Sequence, residues 1–120
     1  MSAVSNVSTA SDREYRSIWT HLIRTAFRQA FVQVGGVRTR YIEAGDPSLP
    51  VVLMLPGTAS SWEAFCANID AHAQHFRVLA LDLLGSGFTD KPDRDYEIAD
   101  YVAHIVAFLN ALEVKKTSII

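Results

Sequence analysis

Two short stretches of the chain carry residue types that could do chemistry. The first, Pro56-Gly57-Thr58-Ala59-Ser60-Ser61, follows the apolar run Val51-Val52-Leu53-Met54-Leu55. Five apolar residues in succession, with β-branched members, suit a strand covered on both faces, and the small and polar residues after them neither extend a strand nor fill a core. A turn at the carboxyl end of a parallel strand is where α/β proteins place binding and catalytic groups. The backbone N–H groups of such a turn would face a cleft. The second stretch is Asp82-Leu83-Leu84-Gly85-Ser86-Gly87-Phe88-Thr89-Asp90-Lys91-Pro92, at the end of another apolar run, Val78-Leu79-Ala80-Leu81. Gly85 and Gly87 permit backbone conformations that other residues resist, and Asp82 is placed to accept hydrogen bonds from loop N–H groups. A structural role for Asp82 is preferred to a catalytic one.

Other chemistries fit poorly. A dinucleotide loop needs Gly-x-Gly-x-x-Gly opening a helix, but the third position is Asp90 and a proline-containing loop follows. Ser86 is not a nucleophile elbow, since Gly-x-Ser-x-Gly would need glycines where Leu84 and Phe88 stand. No Gly-x-x-x-x-Gly-Lys-Ser/Thr phosphate loop is present. His21, His72, His75 and His104 form no His-x-x-x-His pair and none has a metal spacing with cysteine, so no metal site is expected. Cys66 is the single cysteine; it excludes an internal disulfide and reads as a small buried hydrophobe.

The elements that must position the two turns follow from periodicity. Residues 1–11, rich in Ser, Ala and Thr, read as a mobile tail. Over 12–30, Tyr15, Ile18, Trp19, Leu22, Ile23, Ala26, Phe27 and Ala30 recur at three and four, which predicts an amphipathic helix. Its aromatic stripe would pack on the domain or on a second copy in a homo-oligomer, leaving arginines in water. Residues 31–34 and 37–44, joined by Gly35-Gly36, predict a β-hairpin with Arg38, Arg40 and Glu43 on its wetter side. After the strand at 51–55, Ser60 and Glu63 resemble a capping box that opens a helix over 62–73. Strand, helix and strand then make 51–55 and 78–81 a parallel, right-handed pair. A third helix is predicted over 98–112 and a further strand from Thr117.

With 120 residues, 49% of them hydrophobic and 20% charged, the chain is at most one ordinary folded domain. A net charge of -2 gives no basic footprint, so no nucleic-acid partner is expected. The apolar runs are too short for a transmembrane segment, and a cytoplasmic location is expected.

In their order these elements, with the turn at Pro56-Gly57, the helix opening near Ser61-Trp62 and the run from Asp82 to Pro92, resemble the amino-terminal half of an α/β-hydrolase. The resemblance covers 31–120. Its detail is similar to the branch of meta-cleavage-product hydrolases, haloalkane dehalogenases and epoxide hydrolases, through Asp82-x-x-Gly85-x-Gly87-x-Thr89, with Thr for the family's Ser. The fold expected is of the α/β class, an incomplete α/β-hydrolase: the N-terminal helix read from periodicity, followed by the β-hairpin and parallel β-α-β-α-β that the resemblance implies. The resemblance also implies that the Thr58 N–H, with Gly57 and Ala59 beside it, supplies half of an oxyanion hole, and that catalysis proceeds without metal or organic cofactor on a small organic substrate.

Pro56 stands where the family usually has histidine, which removes a side chain that would brace the loop. Thr58 stands where dehalogenases usually carry asparagine, which counts against dehalogenation. In the family the nucleophile comes just beyond the strand that starts at Thr117. The chain is therefore expected to stop short of the catalytic triad, to be inactive alone, and to leave 51–55 as an exposed sheet edge. The alternatives are a non-catalytic interaction module or truncated gene product and, from another class, a nucleotide binder.

Overall fold

The computed structural model describes residues 17–120. The tail expected over 1–11 and the first residues of the helix expected over 12–30 lie outside the described residues. Over the rest of that stretch the helix is corrected: a short 3-10 helix, Ile18–Leu22, is followed by strand β1, Phe27–Val34. Three-and-four spacing over so short a stretch also contains an alternating pattern, and cross-strand bonding decides between them. Every residue of β1 pairs with one of β2, Val37–Ala44, from Phe27 opposite Ala44 to Val34 opposite Val37. Gly35 and Gly36, with φ of 54° and 78°, make the two-residue turn, whose twist requires positive φ at both central positions.

The sheet continues with β3, Val51–Met54, β4, Arg77–Leu81, and β5, Thr117–Ile119, in the spatial order β1-β2-β4-β3-β5. β2 is antiparallel to β4, whereas β3 runs parallel to both β4 and β5. The expected parallel strands are therefore present, but 51–55 does not line an open edge. β3 lies between β4 and β5, and the Leu55 N–H extends the pairing by donating to the Ile120 carbonyl at 2.9 Å. β5 is the outer strand on that side.

Alternation sends successive side chains to opposite faces. On one face Ile42, Ala44, Val52, Met54, Val78 and Ala80 pack with Leu22, Trp62, Cys66 and Ile69. On the other, Tyr41, Leu53, Leu79 and Leu81 pack with Val34, Phe108 and Val114. A 3-10 turn, Trp62–Phe65, runs into helix α1, Cys66–Ala73, on the first face, and helix α2, Ile98–Ala111, supplies Phe108 to the second. The central strands are thus covered on both sides, as their unbroken apolar runs require.

The predicted cap at Ser60 and Glu63 is corrected. Ser61 precedes the 3-10 turn without capping it, and its hydroxyl donates instead to the Glu63 carboxylate. A reciprocal cap is found at α2, where the Glu97 N–H donates to Asp100 Oδ2 at 2.7 Å. That bond holds the Asp100 carboxyl below its ordinary pKa. α2 closes through left-handed Glu113, with Val114 N–H bonded back to the Leu109 carbonyl at 2.9 Å.

Candidate functional site

The turns after β3 and β4 lie at the same end of the sheet, because those strands are parallel. After β3, Pro56 is buried while Gly57, Thr58 and Ala59 are exposed. The turn is closed by the Ser60 N–H donating to the Gly57 carbonyl at 3.1 Å, and Ala59 sits in the left-handed region at φ 59°. Among the described residues the Thr58 N–H has no backbone partner, so it is available to an acceptor from outside the turn.

Asp82, at the end of β4, is completely buried. Its Oδ1 accepts the Trp62 N–H at 2.9 Å, and its Oδ2 accepts the Phe88 N–H at 2.9 Å and the Arg40 Nε at 2.7 Å. One carboxylate thereby ties the turn after β3, the loop after β4 and strand β2 together. Charge-assisted bonds of this kind are the strong ones, and three of them offset the cost of burying a carboxylate. Thr89 completes the loop: its hydroxyl donates to the Asp82 carbonyl at 2.8 Å and accepts the Arg40 N–H at 3.0 Å. Gly87, at φ 56°, passes so close to Asp82 that a Cβ there would collide with the carboxylate, and a Cβ on Gly85 would strike the Tyr96 ring.

The expectation that Arg40 lies on a wetter side is corrected. Its side chain is only 6% exposed, and besides Asp82 it pairs with Glu63, Nη2 to Oε1 at 2.7 Å. Its guanidinium also faces the Trp62 and Phe88 rings, at 5.6 Å and 4.6 Å from their centroids. The signal for this was in the alternation. Arg40 shares a strand face with Ile42 and Ala44, both core residues, while Arg38 one step further out remains exposed. Glu43 is half-buried against Arg77, at 3.0 Å.

The structure thus brings Gly57, Thr58 and Ala59 into one exposed turn and Asp82, Gly85 and Gly87 into the loop beside it. It does not bring the histidines there. His104, on α2, is buried, with Nε2 2.8 Å from the Thr39 hydroxyl, and burial holds its pKa below the ordinary value. His72 Nδ1 meets the Asn68 carbonyl within α1. Cys66 is buried and free, its thiol pushed up by burial and by the nearby Glu63 charge, which disfavours the reactive thiolate. Among the described residues no three of His, Cys, Asp and Glu gather as metal ligands.

A family model described as alpha/beta hydrolase fold matches residues 50–120, more than half of the chain. The chain belongs to the α/β-hydrolase family. This α/β-hydrolase chain is 37% identical over 89 residues to the 2-hydroxy-6-oxo-6-(2'-aminophenyl)hexa-2,4-dienoic acid hydrolase of Metapseudomonas resinovorans, covering 73% of this chain and 31% of that one. It is also 37% identical over 94 residues to a haloalkane dehalogenase of Mesorhizobium japonicum, covering 78% of this chain and 30% of the relative. Among solved structures it is similar to a serine hydrolase involved in carbazole degradation, at 39% identity and a TM-score of 0.69, over 78% of this chain and 37% of that one. Cfl2 from Burkholderia cenocepacia matches with a TM-score of 0.74 and 29% identity, over 78% of this chain and 32% of the other. The α/β-hydrolase chain thus spans about a third of the length of these relatives. No helix among its described residues is long and apolar enough to cross a membrane.

Proposed function

We propose that this chain is the amino-terminal segment of a hydrolase that cleaves an ester or carbon–carbon bond in a small organic substrate, and that the Thr58 N–H supplies half of the oxyanion hole. The observation that carries the reading is the exposed turn at the carboxyl end of β3, in which the Thr58 N–H lies outside the turn's own hydrogen bond. An N–H group held in that way stabilises negative charge as it develops on a carbonyl oxygen, without reorganising at the moment of reaction. Gly57 and Ala59 flank the donor and form one wall of the substrate pocket. In this reading the nucleophile, acid and histidine come from polypeptide that completes the sheet beyond β5, and this chain alone does not turn over substrate.

Carbon–carbon bond hydrolysis is supported by the resemblance to a relative named for a 2-hydroxy-6-oxo-dienoic acid. Against dehalogenation stands Thr58 itself, in the place of an amide side chain that would help hold halide. A cytoplasmic location belongs to the same reading, and the buried, unpaired Cys66 thiol suits a reducing compartment. So does a contact between copies through residues 18–23, where Ile18, Trp19 and Ile23 are exposed.

The test is complementation. The chain is mixed with a carboxyl-terminal polypeptide bearing the nucleophile turn and the catalytic histidine, and hydrolysis of a nitrophenyl ester and of a 2-hydroxy-6-oxo-dienoate is followed by absorbance. Turnover by the mixture and by neither part alone is the expected result. Tight association without turnover would instead favour a non-catalytic interaction module, a reading supported by the exposed Ile98, Val102 and Val106 of α2.

A further inference from the structure

The turn that offers the Thr58 N–H has little of its own to hold it. Pro56 contributes neither an N–H nor a polar side chain, a Cβ on Gly57 would meet nothing within 4 Å, and the only backbone bond inside the turn is that from Ser60 to Gly57. Residues 61–63, by contrast, are held firmly. The Ser61 hydroxyl donates to Glu63, Glu63 is paired with Arg40 Nη2 at 2.7 Å, and the Trp62 N–H is fixed on Asp82 at 2.9 Å. Asp82 is in turn bonded to Arg40 Nε at 2.7 Å. A single buried guanidinium therefore serves both carboxylates that clamp the chain three and four residues beyond Thr58.

We propose that Arg40 is a positioning residue for the Thr58 turn: through Glu63 and Ser61 on one side and through Asp82 and Trp62 on the other, it sets the direction of the Thr58 N–H. The inference rests on the functional reading of Thr58 given above. Arg suits the task because its planar fork presents donors in several directions at once, whereas an ammonium at the end of a lysine is a point charge on a flexible stem. The clamp acts from behind the turn, on β2, and touches no reacting atom.

The test reads the direction of the N–H directly, by residual dipolar couplings of the isotope-labelled chain. Glu63→Gln removes the charge that pairs Glu63 with Arg40 and weakens the bond to the Ser61 hydroxyl, while leaving Arg40 paired with Asp82. Arg40→Lys keeps the charge but cannot bridge both carboxylates. The expected result is a change in the couplings of Thr58 and Ala59 in both variants, with the couplings of β3 and α2 unchanged. Since Arg40→Lys sits in the core and is the variant at risk of unfolding, Glu63→Gln, whose side chain is 20% exposed, suffices alone.

Thr58 couplings unaltered in a folded Glu63→Gln chain would overturn the proposal. In the complemented mixture, Glu63→Gln should lower kcat about tenfold with KM held within about twofold, the pattern of a donor that matters mainly in the transition state. An equal rise in KM with kcat unchanged would also overturn it. If the wild-type mixture shows no turnover while Thr58 still reorients in Glu63→Gln, the positioning role stands and the functional reading of Thr58 falls. Turnover with an unmoved Thr58 does the reverse.

Discussion

Nε of Arg40 lies 2.7 Å from Oδ2 of Asp82, with the Asp82 side chain wholly buried and that of Arg40 6% exposed. Breaking a buried pair by removing one partner costs about 3–5 kcal/mol, because the other charge is left uncompensated. Glu63 remains beside Arg40 in Asp82→Asn, so the loss falls toward the low end of that range. Urea denaturation followed by tryptophan fluorescence should show it as a lowered midpoint with an unchanged slope. Arg40→Met and Asp82→Asn together should cost less than the sum of the two single substitutions, since the Arg40–Asp82 bond can be lost only once, although Glu63 loses its partner wherever Arg40 is replaced.

Gly87 and Gly36 both have positive φ, but only Gly87 is also crowded. Alanine at Gly36 meets open space, so only the backbone penalty of about 1–2 kcal/mol applies. Alanine at Gly87 must in addition displace the Asp82 carboxylate that organises the loop. Gly87→Ala is therefore expected to lower the thermal midpoint more than Gly36→Ala, and equal shifts would show that the loop yields easily.

Ala59 is a non-glycine residue at φ 59° in the candidate turn. Substituting glycine relieves left-handed strain of about 1–2 kcal/mol and adds about 0.4–1 kcal/mol of unfolded-state entropy. Relief is the larger effect, so Ala59→Gly should stabilise the chain by roughly 0.5 kcal/mol or a little more. A small upward shift in thermal midpoint is the expected reading. A fall would mean that the Ala59 methyl makes contacts that outweigh its strain.

Burial holds the His104 pKa below its ordinary value, so the folded chain favours the neutral ring. The unfolded chain binds a proton near pH 6.5. Below that pH the unfolded state carries more protons at this group, so stability rises with pH there. The His104 contribution is fully present above about pH 6.5 and is lost as pH falls toward the lower folded value. Arg94 and Asp100, paired with each other at 3.3 Å, line the same recess as His104, and Asp100 titrates in a separate, more acidic window. Urea midpoints measured from about pH 7.5 to about pH 5.5 should therefore decline, and His104→Gln should flatten that decline.

Much of this was legible in the amino-acid order. The unbroken run at 51–54, the alternation at 37–44 around Gly35-Gly36, and the three-and-four spacing at 98–111 each specify one element, because each pattern matches the period of one backbone geometry. The two turns, with Asp82, Gly85 and Gly87 in the second, are legible because their residue types can neither continue a strand nor fill a core, whereas the choice of Thr58, with Gly57 and Ala59, within the first rests on the family resemblance. Residues 27–30 carry no such distinction, since a few apolar residues fit both periods and pairing with β2 decides between them.

What only the tertiary structure decided is where the charges go. Alternation puts Arg40 on the face of Ile42 and Ala44 and Glu63 reads as a helix cap, but neither pattern names a partner for the charge. Their burial comes from three distant segments converging, with Arg40 bonded across 42 residues to Asp82 and across 23 to Glu63. A local pattern reports the face on which a side chain lies. It holds no information on whether another strand, a helix start and a loop will close over that face and supply the partners that make a buried charge tolerable.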